Sequence, residues 1–464
     1  MKFVHQHLGP NDIRLLRILP DSSDEPLHCT LVHKPLPPFQ RTQEGNVGPP
    51  FSSQHSDEGN VAPPYFFAIS YTWGDPLPVH KIYINGDPCD IRHNLWLFLR
   101  RLRQKGFEGP FWADAICIDQ EDDVEKSAQV TLMGRIFGIA YDVFVWLGEE
   151  ADDCGEIMDA EEPTRFLPLP LSPINACSLP RLMADIRACD ALLAFCRRPY
   201  WQRGWVVQEI GLAQGDIWVF CEPYIMDYVQ LHHNIDDLVE SIKFFARVCH
   251  EVNELAESNK TSKLDPASEL SSSDHHSFIS QNLTATIEES LRFNMPHDKH
   301  DRGSWNRDHS LFDLLVRYAS KVCSDSRDKV YALMSMASDK ILQHCGIKVD
   351  YTKSAEELFF DVLTLYREKR YEVETFASFG RSLMQSLGLS PGGLRQYLRK
   401  QGVDSGDAAL IPDTYHPRQA IAAFECLGRC RVLAVVEPQS STLALSPRAL
   451  KVIGARVIDP YDTE

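Results

Sequence analysis

The sequence predicts an α/β fold built on a parallel sheet with helices on both of its faces. Three short apolar runs have the composition of strands that are buried on both sides: FFAISY (66–71), FWADAICI (111–118) and DVFVWL (142–147). Stretches with helical periodicity separate these runs, and strands that alternate with helices favour a parallel sheet. A fourth run, IWVF (217–220), predicts one further strand of the same sheet.

The first 64 residues are predicted to hold a short strand pair and a linker. Residues 12–19 and 28–33 are rich in apolar and β-branched side chains, which favours two strands. Residues 35–64 are rich in Pro, Gly, Ser and Gln, a composition typical of an exposed loop.

The crossovers between the predicted strands have their own local signals. Asn85-Gly86 lies between apolar flanks and predicts a hairpin inserted in the first crossover. Asn94 has the side chain of a helix N-cap, and leucines at 95, 99 and 102 give the helix after it one apolar face. A second helix is predicted over about 124–140, where apolar residues recur at helical spacing.

Beyond the third strand, the sequence alternates between charged loops and helices. Residues 149–162 hold eight acids and no base, so an acidic loop over 149–175 is predicted to be solvated. Helices are predicted over 180–197, 203–214 and 225–250, and another near 355–367.

These patterns predict four segments. Residues 1–64 form the strand pair and linker, and 65–222 form the α/β domain. Residues 223–340 form a helical region with a mobile insertion at 251–310, and 341–464 form an accessory α+β region.

Composition excludes several classes of function. The 464 residues include 47 Lys and Arg against 65 Asp and Glu, a net charge of −18, which argues against a nucleic-acid partner. No stretch approaches 18 apolar residues, so no membrane span is predicted. The 13 cysteines contain no CxxC pair and are expected to be reduced thiols in a cytoplasmic protein.

Common catalytic motifs are absent from the sequence. It has no phosphate-binding GxxxxGK[ST], no GxGxxG and no GxSxG. Histidine pairs at 232–233, 275–276 and 297/300 have no Cys or carboxylate partners at zinc-site spacing, so no metal site is predicted.

Candidate functional residues follow the predicted strands. Ser70, Tyr71 and Trp73 come at the end of the first strand, and Asp119 follows the second. Ligands of open α/β sheets bind outside the carboxyl ends of the strands. Asp114 lies within the predicted strand 111–118 and is interpreted as a structural acid that accepts hydrogen bonds.

Glu209 is a further candidate, because Trp205 and Glu209 share one face of a helix at spacing i, i+4. Apolar neighbours indicate that this carboxylate is partly buried. Two interpretations remain open: a functional carboxylate, or a structural one that the helix dipole or Arg203 satisfies.

Several of these segments, in order, resemble the fungal heterokaryon-incompatibility (HET) domain. They are AISYTWGD (68–75), WADAICIDQED (112–122), residues 125–148, WQRGWVVQE (201–209) and RDKVYAL (327–333), the last resembling the stretch that follows that domain. Asp119 departs from the family, which usually has Asn there. The resemblance implies a cytoplasmic fungal protein in non-self recognition and programmed cell death.

The HET domain is in turn similar to TIR domains, which implies a flavodoxin-like sheet. FAISY (67–71) resembles the first TIR strand, and WVVQEI (205–210) resembles the W-x-x-x-E helix of TIR domains that cleave NAD. The resemblance implies that Glu209 is catalytic. Candidate contacts to NAD, which would be a substrate with no other cofactor required, are Ser70, Tyr71, Trp73, Asp119 and Trp205. One carboxylate suffices in principle, because nicotinamide leaves as a neutral molecule from an oxocarbenium-like centre.

Two functions are therefore expected as alternatives. The first is a death effector that cleaves NAD through Glu209. The second is a non-enzymatic module that self-associates and recruits a death-pathway partner, with Glu209 as a structural residue. A TIR-like fold is compatible with both, because a fold alone does not determine function. Both alternatives imply an incompatibility partner protein.

Overall fold

The computed structural model describes residues 2–20, 26–37, 65–149, 151, 153–158, 187, 190–240, 310–337, 347–368, 373–400, 420–426 and 430–436. The chain divides into two compact units. The first comprises Met1–Asp119 and Arg135–Trp305, and the second comprises Gln120–Gly134 and Asn306–Glu464. Within the described ranges, no helix combines the length and the apolar character needed to cross a bilayer.

A mixed sheet forms the centre of the first unit, and nine strands of it lie in the described residues. The strands are β1 (Asp12–Ile18), β2 (His28–Pro35), β3 (Phe67–Tyr71), β4 (Val79–Ile84), β5 (Asp87–Arg92), β6 (Phe111–Trp112), β7 (Asp142–Glu149), β8 (Asp216–Glu222) and β9 (Tyr224–Asp227). Their order is β5-β4-β2-β1-β6-β3-β7-β8-β9. The central strands β6, β3, β7 and β8 are parallel, as the sequence predicts.

The N-terminal strand pair belongs to this sheet. β1 pairs antiparallel with β2 and also with β6, where Leu16 faces Phe111. β2 continues the sheet through a parallel pairing with β4 of the predicted hairpin, which turns at Asn85 and Gly86 with positive φ angles of 53° and 92°. The hairpin therefore extends the sheet at its edge, and the first strands lie inside it.

Helices of the first unit cover the sheet and connect its strands. They are α1 (His93–Gln104), α2 (Asp114–Cys117), the last five residues of α3 (Asp123–Ile139), α4 (Gly155–Met158), α5 (190–196), α6 (Pro199–Gln202), α7 (Val206–Gly211) and α8 (228–240). Residues 123–134 of α3 belong to the second unit. Phe98 of α1 stacks on Trp146 of β7 at 4.9 Å and meets Phe220 of β8 edge-on. Trp146 is 2% exposed, so this aromatic layer is part of the core.

The predicted strand over 111–118 is wrong beyond Trp112. Asp114 begins the short helix α2, and its Oδ1 accepts a hydrogen bond from the backbone N–H of Ala115 at 2.7 Å. This local bond offers the backbone an alternative to the strand ladder. The buried guanidinium of Arg14 then donates to the carbonyl of Cys117 at the end of the helix, at 3.0 Å.

Asn94 is not the N-cap of α1, because Arg92 occupies that position without a side-chain cap bond. The Asn94 amide instead donates to the carbonyl of Thr72 and accepts a hydrogen bond from Trp146 Nε1 at 2.9 Å. A buried indole N–H requires a partner, and this requirement explains the inward position of the amide.

Part of the predicted acidic loop is packed. Cys154, Ile157 and Met158 are buried and place α4 against the sheet, so the prediction of a solvated loop is wrong for 154–158. These three apolar residues have the spacing i, i+3 and i+4 and therefore share the buried face of the helix, whereas Asp153 is exposed. Residues 159–175 lie outside the described residues.

Other helix predictions are confirmed with changed limits. Of the predicted helix 203–214, only Val206–Gly211 is helical, as α7, and α6 lies in the segment before it. The helix predicted over 225–250 begins at 228, after β9. Of 180–197, the described residues 187 and 190–196 are helical. The predicted insertion 251–310, except its last residue, lies outside the described residues.

The second unit is largely helical where it is described. Besides residues 123–134 of α3, its elements are α9 (Leu311–Arg317), α10 (Asp328–Met334), α11 (Ala355–Glu368), α12 (Val373–Ser386), α13 (Pro391–Lys400) and the hairpin β10 (Ala420–Cys426) and β11 (Cys430–Val436). Ser310 and Asp313 form a capping box at the start of α9, in which each side chain accepts a hydrogen bond from the backbone N–H of the other residue. The predicted helix near 355–367 is confirmed as α11.

Candidate functional site

The candidate site begins where β3 ends. Ser70 and Tyr71 are the last residues of this strand and are both buried. The chain then turns through Trp73 and Gly74, whose φ of 69° favours glycine. The site thus lies at the carboxyl end of a central parallel strand, where ligands of open α/β sheets bind.

Glu209 lies in the first turn of α7, and its side chain faces inward. The Glu209 N–H bonds the carbonyl of Trp205 at 3.1 Å, so the residue pair has the predicted helical relation. Only 2% of Glu209 is exposed. The buried apolar residues around it, Val206, Val207 and Ile210, explain why the helix presents this face to the core.

Both carboxylate oxygens of Glu209 have hydrogen-bond partners. Arg203 donates through Nη2 to Oε1 and through Nη1 to Oε2, each at 3.2 Å. Ser70 Oγ donates to Oε2 in a short hydrogen bond. Because the Ser70 proton goes to Glu209, Tyr200 donates its hydroxyl proton to Ser70 Oγ at 2.6 Å. The four side chains Ser70, Tyr200, Arg203 and Glu209 form a closed set, called here the Glu209 cluster.

Burial and charge act in opposite directions on this cluster. Burial raises the pKa of Glu209, and Arg203 and the Ser70 hydrogen bond only partly offset it. For Arg203, burial favours the neutral form, but the Glu209 carboxylate and then Asp114 outweigh it and raise the pKa. Burial also raises the pKa of Tyr200, which stays a neutral hydroxyl.

A second group of side chains lies next to the Glu209 cluster. Trp73 Nε1 donates to Asp114 Oδ2 at 2.8 Å. The Arg92 guanidinium lies 5.1 Å from the centre of the Trp73 ring and donates to the carbonyl of Gly74 at 2.9 Å. Burial is the main cause that raises the pKa of Tyr71, and the negative charge of Asp114 raises it further. Asp114 also raises the pKa of Arg203. Asp114 therefore connects the Trp73 loop with the Glu209 cluster electrostatically.

The structure brings some of the predicted residues together and leaves others outside the cluster. Ser70 and Glu209 bond directly. Tyr71 and Trp73 both interact with Asp114, which in turn acts electrostatically on Arg203 of the cluster. The backbone carbonyl of Trp205 accepts the hydrogen bond from the Glu209 N–H. Asp119 is not a partner of Glu209, and its carboxylate lies 3.9 Å from His5 Nδ1.

Tyr200 is the member of the Glu209 cluster that the sequence did not indicate. It lies nine positions before Glu209, on a different short helix, so no helical spacing connects the two. Arg203 is one of the two structural partners that the sequence offers for Glu209, the other being the helix dipole, and the structure places it in hydrogen-bond contact with the carboxylate. In the described part of the chain, no group of three or more His, Cys, Asp or Glu is placed to hold a metal ion.

Comparison with known proteins assigns the segment that carries this site. Residues 66–209 match the model of the family described as Heterokaryon incompatibility protein (HET). The HET resemblance is confirmed for this segment. The match begins at the residue before β3 and ends at Glu209 itself, so it includes every member of the Glu209 cluster.

A curated relative supports the same resemblance over more of the chain. This is "Heterokaryon incompatibility protein 6, OR allele" of Neurospora crassa, 26% identical over 349 residues. The alignment covers 67% of this chain and 48% of the relative, so the chain spans about half the length of that protein. No solved structure matches significantly, and the TIR-like, flavodoxin-like assignment therefore stays a prediction.

Proposed function

We propose that this chain has a HET-type role in fungal incompatibility in the cytoplasm, and that it acts as a non-enzymatic module. In this proposal the chain self-associates and recruits a partner protein of the death pathway. The Glu209 cluster then serves to hold β3, α6 and α7 together. The match of 66–209 to the HET family and the Neurospora crassa relative support the biological role.

The observation that carries the non-enzymatic proposal is the burial of Glu209 together with its pairing to Arg203. A carboxylate that stabilises an oxocarbenium-like ribose must face that ribose. Here one oxygen of Glu209 is bonded to Arg203, the other to both Arg203 and Ser70, and the side chain is almost wholly buried. Substrate contact would require this buried, Arg203-paired carboxylate to become accessible, and exposing it would disturb a buried ion pair whose separation is costly.

Cleavage of NAD is a second candidate function, which the position of the site favours. Ser70, Asp114 and Glu209 gather near the carboxyl ends of β3 and β6. Trp73 is partly exposed, and its ring is held by Asp114 at the edge and by Arg92 on a face, so it could stack on a planar ring. In this proposal Glu209 is catalytic, and Ser70, Tyr71, Trp73, Asp119 and Trp205 contact the substrate.

Removal of the two charges, singly and together, tests these proposals. The variants are Glu209→Gln, Arg203→Gln and the double variant, with Glu222→Gln as a matched control. Glu222 pairs with Arg101 in the same unit but on more exposed side chains. Each full-length protein is assayed for thermal stability, for nicotinamide release from NAD, and for cell death when expressed in a fungal host.

A structural Glu209 predicts that each single variant loses stability, because a buried partner stays charged and unpaired. The double variant should then regain both stability and cell-death activity, without nicotinamide release by any protein. If the wild type releases nicotinamide and the folded double variant does not, Glu209 is catalytic and the non-enzymatic proposal is wrong. Glu222→Gln should match the wild type in all three assays.

A further inference from the structure

Two buried cysteines from distant parts of the sequence meet in the first unit. Cys154 lies in the turn before α4, and Cys221 lies near the end of β8. Their Sγ atoms are 2.9 Å apart, and both residues are wholly buried. Since a disulfide bond has an S–S length of about 2.0 Å, the two sulfurs need to approach by only about 0.9 Å to bond.

The turn that carries Cys154 is fixed by contacts on several sides. Asn234 of α8 donates to the carbonyl of Ile157 at 2.9 Å, and Arg198 donates to the carbonyl of Ala151 at 2.8 Å. Gly155 lies so close to the Tyr224 hydroxyl that a Cβ atom there would be 2.6 Å from it. These contacts hold Cys154 against Cys221, so the meeting of the thiols is a built feature of the fold.

A buried cation accompanies the thiol pair. Arg198 Nη1 lies 3.2 Å from Cys221 Sγ, and the same nitrogen donates to the carbonyl of Leu147 at 3.2 Å. The hydrogen bond with Cys154, together with burial, raises the pKa of Cys221, and Arg198 acts in the opposite direction. The offset by Arg198 is only partial, so Cys221 is a neutral thiol at rest, and Arg198 is the positive charge that would lie beside its sulfur once the proton is lost.

We propose that Cys154 and Cys221 form a modification site, a reversible disulfide made by a hydroperoxide. The Cys221 thiolate attacks one peroxide oxygen and the O–O bond breaks, which gives a sulfenic acid and, after proton transfer, water. The Cys154 sulfur then attacks the Cys221 sulfur, so that the S–S bond forms and the S–O bond breaks with loss of a second water. In total two thiols lose two electrons and two protons, and hydrogen peroxide becomes two waters.

The bond would close a long segment of chain and fix the α4 turn to β8. Cross-links that close long loops reduce the conformational freedom of the unfolded chain most. The backbone carbonyl of Arg198 accepts a hydrogen bond from the N–H of Trp201 in α6. Because the Arg198 side chain contacts Cys221, the thiol pair lies close to the start of α6. The oxidised form is therefore expected to resist unfolding better than the reduced form.

Peptide mapping of the full-length protein after titration with hydrogen peroxide tests the proposal. Free thiols are alkylated under denaturing conditions, and the non-reduced digest is analysed by mass spectrometry. We expect a peptide linked through Cys154 and Cys221 that increases with peroxide and disappears when the native protein is treated with dithiothreitol. The Tm of the wild type should rise by about 5–10 °C on oxidation.

Serine variants provide the controls. Cys154→Ser and Cys221→Ser should each abolish the linked peptide and the rise in Tm, whereas Cys117→Ser, at another buried thiol, should retain both. The proposal is overturned if Cys154 and Cys221 stay alkylatable at a peroxide dose that oxidises the half-buried Cys89, or if they link to other cysteines. A link that dithiothreitol cannot break in the native protein also overturns it, because the bond would then be permanent.

Discussion

The two units each contain an arginine paired with a carboxylate, but the surroundings of the two pairs differ. In the first unit, the side chains of Arg203 and Glu209 are 16% and 3% exposed. In the second unit, those of Arg327 and Asp325 are 21% and 26% exposed. The first pair lies within the segment that matches the HET family, and the second pair lies outside it.

The partners of the two arginines differ as well. The side-chain hydrogen bonds described for Arg203 go to the Glu209 carboxylate alone. Arg327 bonds Asp325 and also donates through Nη1 to the carbonyls of Tyr351 and Lys353, each at 2.7 Å. The comparison shows that Glu209 depends on a single buried cation, whereas the charge of Arg327 is spread over several partly solvated acceptors.

Removal of the buried cation should have the largest effect. Arg203→Met leaves the Glu209 carboxylate in the interior without its counter-charge, which should cost about 3–5 kcal/mol of unfolding free energy. Urea denaturation of the full chain measures this value. Arg101→Met, which breaks a more exposed pair with Glu222, is the matched control and should cost below about 1 kcal/mol. Equal effects of the two substitutions would contradict the distinction between buried and exposed pairs.

The same variant should have a characteristic pH dependence. The pKa of Glu209 is already raised above its ordinary value of 4.5, and loss of Arg203 should raise it further. A raised pKa in the folded state stabilises the protein below the unfolded pKa, and this contribution is lost as the pH rises. The stability deficit of Arg203→Met should therefore be smaller at about pH 5 than at pH 8. A deficit that is the same at both values would show that Glu209 does not carry the charge.

Removal of the Tyr351 hydroxyl in the second unit should have an intermediate effect on the free energy of unfolding. The Tyr351 hydroxyl donates to Asp328 Oδ1 at 2.6 Å, and Asp328 is buried. Tyr351→Phe removes this donor from a buried carboxylate and should cost about 1–3 kcal/mol in urea denaturation. Tyr331→Phe is the control, because its hydroxyl donates to the neutral carbonyl of Asp350 at 2.9 Å, and it should cost less. A larger loss for Tyr331→Phe would reverse our ranking of charged and neutral acceptors.

Loss of the partly exposed pair of Arg327 and Asp325 should have the smallest effect on the free energy of unfolding. Burial opposes ionisation of Asp325, but the hydrogen bonds from Arg327 outweigh it and lower the pKa of Asp325 below its ordinary value of 3.8. Asp325→Asn should cost less than about 1 kcal/mol at neutral pH, because solvent screens the pair. A lowered pKa stabilises the fold above 3.8 and ceases to do so as the pH falls through the folded value. Denaturation curves of variant and wild type should thus converge below that pH, and curves that stay apart would exclude a charge effect.

Much of the sheet could be predicted because its central strands are continuous apolar runs. β3, β7 and β8 lie where FFAISY, DVFVWL and IWVF place them. The strand predicted over 111–118 is wrong beyond Trp112, because a short apolar stretch has the same composition in a strand and in a buried helical turn. The bond from Ala115 N–H to the Asp114 side chain decides between the two, and it depends on local geometry that periodicity does not report.

The candidate site could be predicted only as far as neighbours in sequence allowed. Glu209 and Arg203 are six positions apart, so their pairing was among the alternatives that the sequence offered. Tyr200 and Ser70 are 130 positions apart, and only the packing of α6 on β3 brings their hydroxyls to 2.6 Å. The inward position of Asn94 depends likewise on the distant Trp146, which a capping rule does not consider.

The pairing of β1 with β6 determines which gene fragments of this protein would encode a complete sheet. The segment that matches the HET family runs from 66 to 209, but β1, β2, β8 and β9 of the sheet lie outside it. β1 covers one edge of the two-residue strand β6, and β8 covers the outer edge of β7. Gene fragments cut at the limits of the family match would therefore encode a sheet with two open edges. In this protein the segment that matches the family is shorter than the sheet it belongs to, and a fragment meant to fold has to carry the flanking strands as well.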